Sequence, residues 1–155
     1  MKSVKYLLAI IIVGVFSSAC TSSKSNPADE ANVRGVVEGF GQRLKLVSLL
    51  SPSAAEDMKA QYSEYVSGML LEQWMSSPEK APGRIVSSPW PDRIEITSIK
   101  IMNSNEYAVT GNVVEITSTE LNAGGYAVKI PVQIQVQKSD NRWQIVNYVQ
   151  ELAQP

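Results

Sequence analysis

Between Tyr126 and Lys138, apolar and polar residues alternate without interruption. Tyr126, Val128, Ile130, Val132, Ile134 and Val136 fall on one face of an extended chain, and Lys129, Pro131, Gln133, Gln135 and Gln137 fall on the other. A period of two sustained over this length specifies a β-strand with one buried face and one wet face. It also demands something apolar to cover the buried face. At roughly 3.3 Å per residue the run spans about 43 Å, so it must bend or overhang its neighbours. Pro131 has no N–H to give to a ladder, which predicts an edge position or a bulge there.

Three more extended segments fill the C-terminal half. Ile94 and Ile96 have one parity and Ile99 and Ile101 the other, which predicts a strand from Arg93 to Met102 with a bulge or bend near Thr97 and Ser98. Asn103, Ser104 and Asn105 carry turn chemistry. Tyr107, Val109 and Val113 then alternate until the parity slips to Val114 and Ile116, with Gly111 nearby as a natural bend. Ser139, Asp140 and Asn141 turn the chain into a last strand from Trp143 to Val149.

The N-terminal half has helical spacing instead. Asn26 is placed to cap a helix, with Pro27 at its first position and Asp29 complementing the helix dipole. Val33, Val36, Val37, Phe40, Leu44 and Val47 recur three and four apart, predicting an amphipathic helix to about Leu50. Gly35 and Gly39 on it imply close packing of its backbone on a sheet. Ser53 and Glu56 have capping-box spacing, and Met58, Tyr62, Tyr65, Val66, Met69, Leu70 and Trp74 form a second stripe, with a break near Ala60 as one reading of it. Pro78, Pro82, Gly83, Pro89 and Pro91 make the next stretch a loop.

Two to three helices followed by four long, kinked antiparallel strands define an α+β fold, with the helices packed on a curved four-stranded sheet. In element order and strand length, residues 28 to 152 resemble the nuclear transport factor 2-like superfamily. That resemblance implies a cone enclosing a pocket between sheet and helices, and homodimers formed sheet to sheet. The segment from Ser88 to Ile96, with Trp90 between two prolines, resembles the entry to the first long strand in small Gram-positive bacterial lipoproteins of this type.

The extreme N-terminus is of another kind. Met1 to Lys5 is short and basic, and Tyr6 to Phe16 is apolar and uncharged. That length fits the apolar core of an export signal and falls short of the ~20 residues needed to span a bilayer. Ser17, Ser18 and Ala19 then lead into Cys20, the only cysteine of the chain. The arrangement resembles the lipobox of bacterial lipoproteins, with Ser17 standing where leucine is most common. The resemblance implies diacylation of the Cys20 thiol and cleavage before it. A lone exported cysteine has no disulfide partner in its chain, and acylation removes a reactive thiol from an oxidising compartment. The expected organisation is a signal peptide at 1–19, a lipidated N-terminus and tether at 20–27, and a single α+β domain at 28–155.

Loss of Lys2 and Lys5 with the signal leaves 12 basic and 15 acidic residues, a net charge of −3. That balance argues against nucleic acid, which asks for a basic face. The chain has no histidine, so His-dependent triads are excluded, as are zinc sites of the His and Cys kind. No cofactor and no metal site is expected. Ser77, Pro78, Glu79 and Lys80 match a Ser-x-x-Lys pattern, but a chain this short lacks that fold and its companion motifs.

Seven residues stand out as candidates for a pocket or binding surface. Tyr62, Tyr65 and Trp74 lie on the second helical stripe, either as core or as ligand lining. Trp90 is either a plug at the end of the cone or an aromatic platform. Arg84 is placed to receive an anionic group. Asp92 with Tyr62 or Tyr107 is the pair a ketosteroid-isomerase-like mechanism would need; the plain alternative for Asp92 is a loop carboxylate paired with Arg93. The expected function is that of a membrane-anchored extracytoplasmic lipoprotein, held through its N-terminal diacylglycerol, with a non-catalytic binding or scaffold domain for an envelope protein. A small apolar ligand in the cone, or the isomerase-like enzyme, are the alternatives.

Overall fold

The computed structural model describes residues 26–151; the signal segment and Cys20 lie outside them. Asn26 caps the first helix, α1 (Pro27–Arg43), its Oδ1 accepting from the Ala28 N–H at 3.1 Å. Asp29 and Glu30 sit in the first turn and Arg43 in the last, the charge order the helix dipole favours. Val33, Val37 and Phe40 form its buried face, which packs on the first and fourth strands. The helix does not run to Leu50. A 3-10 turn (Leu44–Leu46) ends it, and Val47 is extended. There the backbone finds a better partner outside the helix: Arg84 N–H donates to Val47 O at 2.8 Å and Leu49 N–H to Arg84 O at 2.9 Å.

The second stripe divides into α2 (Ala54–Tyr62) and α3 (Gly68–Ser76). The break falls after Tyr62 rather than near Ala60, because the linking residues bond to the sheet. Ile145 N–H donates to Tyr65 O at 2.8 Å, and Ser67 N–H donates to Ile145 O at 2.9 Å. The Ser67 hydroxyl then accepts from Leu70 N–H to start α3. The capping box expected at Ser53 does not form; its hydroxyl donates to Asp57 at 3.0 Å instead.

Four antiparallel strands follow in sequential order: β1 (Trp90–Asn103), β2 (Glu106–Ile116), β3 (Val128–Ser139) and β4 (Arg142–Gln150). The bulge expected near Thr97 is present between Ile96 and Ser98, and a second register shift falls between Pro91 and Arg93 on β1; β2 itself runs past Val114 in unbroken register with β3. β1 begins at Trp90, so Trp90 and Asp92 lie on a strand and not in a loop. β3 alternates buried and exposed as its sequence requires, although Tyr126 lies before it and is exposed. Pro131 is on an internal strand. It is tolerated because it faces β4 where that strand ends, its carbonyl accepting from Glu151 N–H at 3.0 Å. A short helix not expected from the periodicity, α4 (Ser118–Ala123), joins β2 to β3. A capping box starts it: Thr117 Oγ1 accepts from Thr119 N–H, and Glu120 accepts from Thr117 N–H.

The three N-terminal helices pack on one face of this sheet around one continuous apolar core. Close approach to the sheet comes at Gly41, where an added Cβ would lie 2.6 Å from Ile94 N. Gly35 touches nothing, and Gly39 meets the Tyr65 ring rather than the sheet. On the outer face, fully buried Val114 is flanked in register by Arg93 and Lys129. Glu95 bridges these two cations at 2.6 and 2.7 Å. No helix among the described residues is long and apolar enough to cross a membrane.

Candidate functional site

Tyr62 and Trp74 come together, but inside the core. With Phe40 and Tyr148 they form one aromatic cluster, with centroid separations from 4.9 Å for Phe40–Tyr62 to 6.1 Å for Tyr62–Trp74. The cluster fills the space between helices and sheet that a cone would leave for a ligand. The Tyr62 hydroxyl donates to Pro82 O at 2.8 Å and that of Tyr148 to Gln150 Oε1 at 2.7 Å. Burial pushes both phenols above the ordinary tyrosine range, and for Tyr148 the Tyr62 phenol adds to the effect. Both are therefore fixed as neutral hydrogen-bond donors near pH 7. No buried side-chain nitrogen or oxygen among the described residues lacks a partner, so the core presents no unsatisfied group to a guest.

The other singled-out residues are dispersed. Tyr107 is buried against Trp143, ring centroids 5.3 Å apart. Tyr65 is half-buried, with the Arg43 guanidinium 6.0 Å from its ring centre. Trp90 is half-buried opposite Ile116 and lies outside the main core cluster. Asp92 pairs with Lys45 at 3.2 Å and Arg93 at 3.1 Å, and its hydrogen bonds go to neither Tyr62 nor Tyr107. The half-buried carboxyl with a raised pKa is Glu115, through desolvation. It does not line the cleft described next. No cluster of His, Cys, Asp and Glu among the described residues could hold a metal ion.

Arg84 leads to a different site. Its backbone pairs with Val47 and Leu49, fixing the loop through Gly83 and Ile85 as one wall of an open cleft of about 390 Å³. Leu49 and residues 80–83 complete that wall, and Tyr148, Val149, Gln150 and Glu151 form the other. Ile85 is 62% and Val149 52% exposed, and their neighbours Val86 and Leu50 are exposed too. Lys80 and Glu151 contribute one charge of each sign. Gly83 is needed for the fit, since a Cβ there would lie 2.9 Å from Leu49 Cδ2 and 3.0 Å from Val47 O. The volume is in the range of small binding sites, ~300–1,000 Å³. Tyr148, Val149 and Ile85 were not singled out from sequence. Two adjacent apolar residues, Ile85 and Val86, within a Pro- and Gly-rich loop were the available signal.

No protein-family model matches the chain, and no curated protein matches it. Among solved structures, the chain is similar to the intermembrane-space region of the chloroplast protein ARC6, with 14% identity and a TM-score of 0.44, over 84% of this chain and 99% of that one.

Proposed function

We propose that this protein is a lipoprotein anchored through diacylated Cys20 on the extracytoplasmic face of the cell membrane, and that its domain binds or scaffolds other envelope components without catalysing a reaction. The observation that carries the binding reading is the distribution of apolar surface. Phe40, Tyr62 and Trp74 occupy the interior, with half-buried Tyr148 packed against them, whereas Leu50, Ile85, Val86 and Val149 are exposed at or beside one end cleft. Exposed apolar groups gathered in this way mark interaction sites. A small apolar ligand or an isomerase substrate would need the interior volume that the aromatic rings fill. The element order is the one a nuclear transport factor 2-like domain would have, and folds of that kind host many functions.

The anchor is tested by metabolic labelling with a fatty-acid analogue: the wild type takes the label and fractionates with membranes, and Cys20→Ala does neither. Equal labelling of both would end the anchor reading. The binding reading is tested by native mass spectrometry of protein purified gently from its host, where no stoichiometric small molecule is expected. A copurifying metabolite at one per chain would return attention to an interior pocket.

A further inference from the structure

We propose that the cleft at the end of β4 takes an extended strand of a partner protein, which adds to the free edge of the sheet at Tyr148 and Gln150. This deepens the binding-domain reading above and rests on it. β4 is an edge strand, and its backbone divides into a closed and an open half. At Ile145 both N–H and C=O point away from β3 and are satisfied by Tyr65 and Ser67. Arg142 and Gln144 reinforce the same seam, donating to Glu64 O and Val66 O. One extra residue, Val146, then shifts the register between Ile145 and Asn147.

Beyond that bulge, Glu151 N–H donates to Pro131 O. In an antiparallel ladder successive residues point their backbone groups to opposite sides. Asn147 and Val149 therefore face β3 with Glu151, and Tyr148 and Gln150 present N–H and C=O to the free edge. Among the described residues no backbone group bonds to them there. Loop 80–85 stands opposite, held by the Tyr62 hydroxyl on Pro82 O and by the Arg84 pairing with Val47 and Leu49. A preformed slot thus has a row of alternating donors and acceptors on one side and apolar Ile85 and Leu49 on the other.

That chemistry selects an extended peptide, whose main chain completes the ladder while alternate side chains meet the apolar walls. An acyl chain would leave the Tyr148 and Gln150 groups without partners. The position of the anchor argues the same way. The chain enters the domain at Asn26, beside the β3–β4 turn, where Asp29 accepts from Lys138 and Trp143, each at 3.3 Å. Gln150 lies about 26 Å further along β4 at ~3.3 Å per residue. The six residues after Cys20 span at most about 20 Å. The cleft is therefore at the end of β4 opposite the point where the tether enters.

The test uses full-length protein purified from host membranes and a displayed library of random decapeptides. Enriched peptides are expected to carry apolar residues at alternate positions, and the tightest of them to slow amide exchange at Tyr148 and Gln150. Ile85→Glu, at an exposed site, and Gln150→Pro, which removes an edge donor without touching the β3 ladder, should each weaken that peptide roughly tenfold or more. Failure to enrich any peptide, equal binding by both variants, or binding without protection of those two amides would overturn the proposal. So would an edge-dependent dimer in light scattering, or Ile85-dependent flotation of the Cys20→Ala chain with vesicles of phosphatidylglycerol. Loss of the anchor reading would instead appear as absent fatty-acid label with peptide binding intact.

Discussion

The Tyr62 hydroxyl donates to Pro82 O at 2.8 Å, joining the end of α2 to the loop that walls the cleft. Both residues are buried, so Tyr62→Phe leaves a desolvated carbonyl with no donor. Such a loss costs about 1–3 kcal/mol. Urea denaturation should show a lower midpoint with an unchanged slope, and amide exchange in residues 80–85 should accelerate. A variant as stable as the wild type would mean that water replaces the phenol and that the wall is held by the Arg84 pairing alone.

Gly41 and Gly35 lie on the same helix and should respond oppositely to alanine. At Gly41 the new Cβ would press on Ile94 N and Cγ1 at 2.6 and 3.0 Å. Backbone cannot yield as a flexible side chain can, so the helix must move off β1. Overpacking of this kind costs about 1–3 kcal/mol. Gly35 is exposed with nothing within 4 Å, and Gly35→Ala should stabilise by up to about 1 kcal/mol through helix propensity. Thermal melts of the two variants on either side of the wild type would establish that α1 docks at Gly41. Equal shifts would refute it.

Two carboxyls should give stability profiles of opposite sign in acid. Burial raises the Glu115 pKa, so the folded state binds that proton more tightly than the unfolded state. Its contribution is greatest at low pH and is lost as pH rises through the unfolded and then the folded value. Glu115→Gln should therefore be more stable than wild type at pH 7, and the gain should vanish below about pH 4. Hydrogen bonds from Lys129 and then Arg93 lower the Glu95 pKa. Its contribution is present above the unfolded value and is lost as pH falls through the folded one. Glu95→Gln should lose at most about 1 kcal/mol at pH 7, as partly exposed pairs do, and converge on wild type in acid. Denaturation series at pH 3 to 7 resolve both, and a Glu115→Gln variant less stable than wild type at neutrality would contradict the burial argument.

The sheet was legible because period-two alternation reports directly on which face is covered. β3 carries it without error, and the slip at Thr97 marks a real bulge, since each extra residue inverts every later side chain; the slip at Val114 instead marks a residue buried on the outer face of a strand in unbroken register with β3. Helix limits were less legible. Val47 and Val66 keep helical spacing in sequence, yet Val47 bonds to Arg84, and Tyr65 and Ser67 on either side of Val66 bond to Ile145, distant partners that no local pattern announces. Tyr62, Trp74 and Tyr107, singled out from sequence, all lie in the core. Periodicity alone does not distinguish a ring that lines a pocket from one that fills it.

What the sequence determined by itself is an order of two to three helices followed by four antiparallel strands, the face β3 buries, and the exclusion of chemistry that needs histidine. Composition and period encode these locally. Tertiary structure alone decided that the aromatic rings of α1, α2, α3 and β4 converge to close the interior. It also decided that Ile85 and Val149, 64 residues apart in the chain, meet across a cleft beside an open strand edge. Those outcomes depend on which elements pack together and where a single bulge turns the backbone of β4, and such long-range geometry has no periodic signature in the chain.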